Sequence, residues 1–92
     1  MERPEIFELI NGERDYQDKL ALARDWTEEE RKPAQSVGDF LTLLDVYVQR
    51  AQVAYADKAG DIPALDVIRK IAGIAVYCME EHGAPPRIQI IQ

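Results

Sequence analysis

Two long segments without an internal helix breaker set the terms for this chain. From Phe40 to Lys58 there is neither glycine nor proline, and from Ala64 to His82 only Gly73 intervenes. In the first, Phe40, Leu44, Tyr47, Ala51 and Tyr55 recur at three-to-four spacing, and Leu41, Leu43 and Val48 widen the stripe. In the second, Leu65, Ile68, Ile71, Ala72, Ala75 and Met79 form the main stripe, and Val67, Ile74 and Cys78 add a second apolar flank. A helix that is apolar over more than one face must be covered on more than one side. A three-helix chain has too few elements for that. The expected architecture is therefore all-α: a helical hairpin of two long helices plus an N-terminal helix, assembling into an oligomeric helical bundle. The competing arrangement is a monomer whose N-terminal helix and tail cover the second side.

The ends of these elements carry their own signals. Ser36 and Asp39 fit a reciprocal N-terminal box, in which each side chain satisfies a backbone N–H of the other residue. Gly60 reads as the C-terminal cap of the first long helix, and Pro63 fits the first turn of the next. His82-Gly83 ends that helix, and Pro85-Pro86 bars its continuation. Gly73 costs about 1 kcal/mol relative to alanine in a helix interior, which points to another backbone passing close by. Ahead of the hairpin, Pro4 and Glu5 suit a first turn, and Ile6, Leu9, Ile10, Tyr16 and Leu20 give a loose stripe. The expectation is a helix over about residues 4–22, kinked or broken at the turn signal Asn11-Gly12. Residues 23–35 read as a connection, with a short helical turn from Thr27 to Glu30. After Gly83 the chain reads as an extended tail over residues 84–92, and its alternating Ile88 and Ile90 either pack on the helices or reach a neighbouring subunit.

Ninety-two residues make one domain, 1–92, which gains from a staple or a partner. The single cysteine, Cys78, closes no internal disulfide. The formal net charge of -6 argues against a general nucleic-acid binder. It does not bar a small anionic ligand in a local basic pocket, because net and local charge are different quantities. No apolar run is long enough for a membrane span, and the N-terminus lacks a secretion-signal pattern; a cytoplasmic location is expected.

Candidate chemistry is uneven. A metal site on a bundle needs carboxylates converging from facing helices. Asp45 is followed one turn later by Gln49, and Asp66 by Arg69, so these two acids are weak metal candidates. Cys78 reads as a core thiol and His82 as a favourable charge at a helix C-terminus, so no catalytic residue is assigned. The cations carry more information. Arg14 and Lys19 on the first helix, and Arg50, Arg69 and Lys70 on the long ones, could hold phosphate where they converge at a subunit interface. Gln17 accompanies Arg14, and Trp26, Tyr16, Tyr47 and Tyr55 could stack a base. The plain alternative for each is a solvated face, such as an Asp66–Lys70 pair one turn apart, or simple core packing.

The segment Gly12-Glu13-Arg14-Asp15-Tyr16-Gln17-Asp18-Lys19 resembles the opening motif of small phage and bacterial MazG-like proteins, Glu-Arg-x-x-Gln, here Glu13, Arg14 and Gln17. The order of parts also matches over about residues 5–84. That resemblance implies an all-α oligomer. It also implies, for active members, magnesium-dependent pyrophosphohydrolysis of nucleoside triphosphates through acid clusters on the two long helices. At the matching positions here only Asp45 and Asp66 keep the acid, while Val46, Gln49 and Arg69 replace the others. The resulting expectation is a non-hydrolytic protein that binds or sequesters a nucleotide or nucleotide-derived signal, such as a phage anti-defence sponge. It has no resident cofactor and acts as a homo-oligomer. Two other readings stand beside it: a magnesium-dependent pyrophosphohydrolase using Asp45, Asp66 and Glu13, and a helical module that docks a host protein.

Overall fold

The computed structural model describes residues 1–23, 35–57 and 60–87. The described residues form three helices and no strand: α1 (Arg3–Ala23), α2 (Val37–Ala56) and α3 (Asp61–His82). None is long and apolar enough to cross a membrane. The expected turn at Thr27–Glu30, the aromatic Trp26 and the isoleucines of the tail lie outside the described residues.

α3 is the central element. α2 packs along it as the antiparallel arm of a hairpin, α1 packs along it with the same polarity as α3, and α1 and α2 do not meet. The hairpin is anchored at one end by Phe40, which is 1% exposed and is the largest fully buried side chain. Its ring lies 5.3 Å from that of Tyr77 and 6.0 Å, edge-on, from that of His82. His82 Nε2 is also 2.7 Å from the Gln35 carbonyl oxygen, which ties the start of α2 to the end of α3.

The helix boundaries follow local chemistry. The Asp39 N–H donates to Ser36 Oγ, and the Ser36 N–H donates to Asp39 Oδ2, both at 3.0 Å, so the reciprocal box forms. These bonds hold the Asp39 carboxyl below its ordinary range, the backbone donor at Ser36 contributing most. Gly60 does not cap α2; Asp57 ends that helix, and Gly60 opens α3 at φ 79°, a left-handed conformation suited to glycine. Gly83, at φ 89°, closes α3 by donating its N–H to the Met79 carbonyl.

Three further expectations change. α1 runs unbroken through Asn11-Gly12. A two-residue turn signal is weak against side chains immediately downstream that are fixed on α3. On α3 the buried residues are Ala64, Gly73 and Ile74, and Val67 and Cys78 of the second flank are half-buried together with Ile71, Ala72 and Ala75 of the main stripe, so both flanks take part in packing. Leu65, Ile68 and Met79 of the main stripe stay 57, 50 and 45% exposed. Finally, what lies over Gly73 is a pair of side chains rather than a backbone: a Cβ there would stand 2.8 Å from both Glu13 Cγ and Gln17 Nε2.

Candidate functional site

α1 meets α3 through polar groups. Glu13, Arg14 and Gln17 fall on one face of α1, because positions three and four apart share a helix face. That face lies against α3 around Gly73, where the missing side chain makes room. Arg14 is only 4% exposed, yet every nitrogen of its guanidinium has a partner. Nε and Nη2 donate to Glu80 Oε1 and Oε2 at 2.8 and 3.0 Å, a two-pronged grip. Nη2 also donates to Asp18 Oδ1 at 2.9 Å, and Nη1 to Gln17 Oε1 at 3.1 Å. The same group lies 4.1 Å above the ring of Tyr77.

The chain of contacts continues across the interface. Gln17 Nε2 donates to Glu13 Oε2 at 3.3 Å, and Arg69 Nε donates to Glu13 Oε1 at 3.1 Å. Arg69 Nη2 donates to Asp66 Oδ1, and Lys70 Nζ stands 3.4 Å from Asp66 Oδ2. Glu80, Arg14, Gln17, Glu13, Arg69, Asp66 and Lys70 are thus linked in one run. No buried side-chain nitrogen or oxygen among the described residues is left without a partner. The electrostatics match the geometry. The hydrogen bond from Arg14 holds the Glu80 carboxyl below its ordinary range, and the one from Arg69 does the same for Asp66. Both arginines are shifted upwards, Arg14 chiefly by Glu80 and Arg69 chiefly by Glu13, so both remain charged.

Beside this network, between α1 and α3, opens a groove of about 550 Å³ lined by Glu8, Leu9, Gly12, Glu13, Tyr16, Asp66, Arg69 and Lys70. Its volume lies in the range of small-molecule sites. Arg69 and Lys70 supply the cations. Arg69 donates Nε and Nη2 to Glu13 and Asp66, and no partner among the described residues engages its Nη1. Tyr16 supplies an aromatic face, 60% exposed. Glu8, Glu13 and Asp66 bring three carboxylates to the same walls.

The residues singled out from the sequence therefore separate. Arg69 and Lys70 line the groove. Arg14 and Gln17 lie behind it as its support, since the Arg14 guanidinium is fully engaged within the protein. Lys19 is exposed on α1. Tyr47 and Arg50 are on α2, where the Arg50 guanidinium sits 4.8 Å from the Tyr47 ring, and α1 does not reach them. Arg50 borders a separate shallow groove of about 500 Å³ with Val46, Gln49, Val53, Ala54 and Asp57. Asp45 is on α2 and takes a hydrogen bond from Gln49 Nε2 at 3.1 Å. Asp66 pairs with Arg69 and Lys70. No three of the described acid, cysteine and histidine side chains close on one point. Cys78 is half-buried on α3.

Sequence reasoning did not foresee two contributors. Tyr77 is the platform for Arg14. Glu80 is that arginine's principal partner. A partner 66 positions away leaves no trace in local spacing. Compared with protein-family models, curated proteins and solved structures, the chain matches none.

Proposed function

We propose that this chain is a non-hydrolytic binding protein for a nucleotide or nucleotide-derived signal, acting as a homo-oligomer and holding the ligand in the groove between α1 and α3. The observation that carries the reading is the convergence of Arg69 and Lys70 with Tyr16 on one groove of small-molecule size. A bare phosphate is a poor match, because three carboxylates share the walls with two cations. A nucleotide suits the mixture better. Its phosphate takes the Nη1 edge of Arg69 and the Lys70 ammonium, Tyr16 stacks on the base, and the carboxylates accept from ribose hydroxyls or an exocyclic amine. The Glu-Arg-x-x-Gln likeness to MazG-like proteins points to the same ligand class. Arg69 at a position where active members carry an acid fits binding without hydrolysis.

Calorimetric titration with nucleoside mono- and triphosphates, cyclic dinucleotides and ADP-ribose-like compounds tests the reading. Binding by at least one class, weakened more than tenfold by Arg69→Ala and unchanged by Arg50→Ala, is the expected outcome. No binding across the set, or equal affinity in the Arg69→Ala variant, overturns it. Release of pyrophosphate from a nucleoside triphosphate with magnesium, abolished by Asp66→Ala, would establish the hydrolytic reading in its place.

A further inference from the structure

Gly12 stands near the middle of α1, and nothing among the described residues requires a glycine there. After proline, glycine is the poorest residue for a helix interior. The other mid-helix glycine, Gly73, is needed because Glu13 and Gln17 occupy the space that a Cβ would take. Gly12 has no such neighbour: among the described residues, no atom lies within 4 Å of the place its Cβ would occupy. Its backbone does not need a glycine either, since the positive φ angles are at Gly60 and Gly83. Nor does it make a turn, because α1 runs unbroken through Asn11-Gly12.

What Gly12 does is line the groove that holds Tyr16, Arg69 and Lys70. Glu8, Gly12 and Tyr16 are spaced by four and share one face of α1, with Gly12 at its centre. Long side chains on a helix lean towards its N-terminus, which carries Tyr16 over the turn that contains Gly12. Bare backbone thus adjoins an exposed aromatic side chain. Glycine serves where a backbone must let a ligand approach closely. A flat ring fits such a place, because it stacks on the tyrosine and still lies against the peptide groups. The cations stand across the groove on α3, so a ligand that spans it sets its ring at α1 and its anionic end at α3.

We infer that Gly12 is the seat of the nucleobase: the base stacks on Tyr16 and lies in van der Waals contact with the α1 backbone, in the space a Cβ would fill. The inference rests on the ligand reading and adds the residue that admits the base.

Calorimetric titration of the full chain with ATP, GTP, CTP and UTP, and with cyclic dinucleotides of adenine and guanine, tests it alongside thermal melting. Gly12→Ala is expected to raise the melting midpoint, because alanine is the better helix former. The same variant is expected to weaken the tightest-binding of these nucleotides at least about tenfold, as overpacking at a contact does. Gly12→Leu is expected to abolish that binding with helical circular dichroism retained. Asn11→Ala, exposed and outside the lining of the groove, raises helix propensity in the same way and is expected to leave affinity unchanged. In the unsubstituted complex, nuclear Overhauser contacts are expected between base protons and the Gly12 α-protons. A Gly12→Ala variant that binds as tightly as the unsubstituted chain overturns the inference; if Arg69→Ala weakens the same binding, the ligand reading survives that result. Contacts from Gly12 to ribose protons alone also overturn it. So does a lowered melting midpoint in Gly12→Ala, which would mean that the glycine makes room for another part of the chain. Absence of binding by the unsubstituted chain to every nucleotide tested ends both readings together.

Discussion

Where α2 meets α3, the contact is anchored by one buried aromatic: Phe40 against Tyr77 and the edge of His82. Where α1 meets α3, it is a run of charged and amide groups around a glycine, with Glu13 and Arg14 buried. The two contacts do different work. Apolar packing is strong per residue but tolerant of small shifts, because dispersion and the hydrophobic effect have no preferred direction. The polar contact contributes less net stability, because each hydrogen bond replaces one made to water. What it supplies is position. Sliding α1 by one turn would leave Arg14 and Glu13 buried without partners, at a cost of about 1–3 kcal/mol or more for each charged group. α2 is held by strength and α1 by register. The groove proposed to bind ligand lies on the side where register is fixed.

The largest break in this comparison is on the apolar side. Truncation of a fully buried phenylalanine removes its transfer free energy and leaves a cavity, so Phe40→Ala is expected to cost about 3–5 kcal/mol. In a small domain that is a large part of total stability. Urea denaturation followed by circular dichroism measures it. A loss below about 1 kcal/mol would mean that the hairpin is not anchored at Phe40.

Next is the polar side. Arg14→Ala is expected to cost about 2 kcal/mol, in the range for hydrogen bonds to charged groups. Lysine should restore little of it. A single ammonium cannot grip both Glu80 oxygens while also reaching Gln17 and Asp18, nor stack on Tyr77 as a planar guanidinium does. A double-mutant cycle with Glu80→Gln isolates the pair. Because the Glu80 side chain is half-exposed, its coupling should be only about 1 kcal/mol. Coupling near zero, or full recovery by Arg14→Lys, would show that α1 is held by something other than this grip.

A smaller effect sharpens the contrast at the crossing point. Gly73→Ala gains about 1 kcal/mol of helix propensity. The new Cβ, however, stands 2.8 Å from Glu13 Cγ, which cannot swing away without giving up the bond to Arg69. Overpacking of this kind costs about 1–3 kcal/mol. The net expectation is a destabilisation of about 1 kcal/mol, with amide exchange rising along α1 and unchanged along α2. A stabilised Gly73→Ala variant would mean that α1 rides loosely over α3.

Much of this was legible from the sequence, and the remainder for identifiable reasons was not. The hairpin was readable because Phe40 to Lys58 and Ala64 to His82 contain almost no competing signal, and the Ser36–Asp39 box is closed by neighbours three residues apart. Gly73 announced a close approach, though not what approaches. The exposure of Leu65, Ile68 and Met79 could not be seen, because periodicity shows that a stripe exists and not which neighbour covers it. The site was less legible. Glu13, Arg14 and Gln17 carry a recognisable spacing, and Arg69 and Lys70 are adjacent cations on a long helix. Whether a cation faces a ligand or a partner depends on residues far away in the chain. Arg14 meets Glu80 and Arg69 meets Glu13 only because α1 and α3 run side by side with the same polarity.

Acid offers the gentlest way to separate the two contacts. The folded structure holds Glu80 and Asp66 below their ordinary range through hydrogen bonds from Arg14 and Arg69. A carboxyl depressed in the folded state contributes stability that is present above its unfolded pKa, about 4, and is lost as pH falls through the folded value. These carboxyls are substantially exposed, so the loss is small in total. Its location is the informative part. Both carboxyls belong to the polar crossing, where their protonation weakens the bonds from Arg14 and Arg69. On α2 the acid-sensitive carboxyl is that of the Asp39 box at its first turn, while the Phe40–Tyr77 contact holds no carboxylate. Between pH 6 and pH 3, amide exchange along α1 should accelerate before exchange in the body of α2. Simultaneous loss in both helices would mean that α1 and α2 unfold as one unit, and the distinction between strength and register would then have no thermodynamic content.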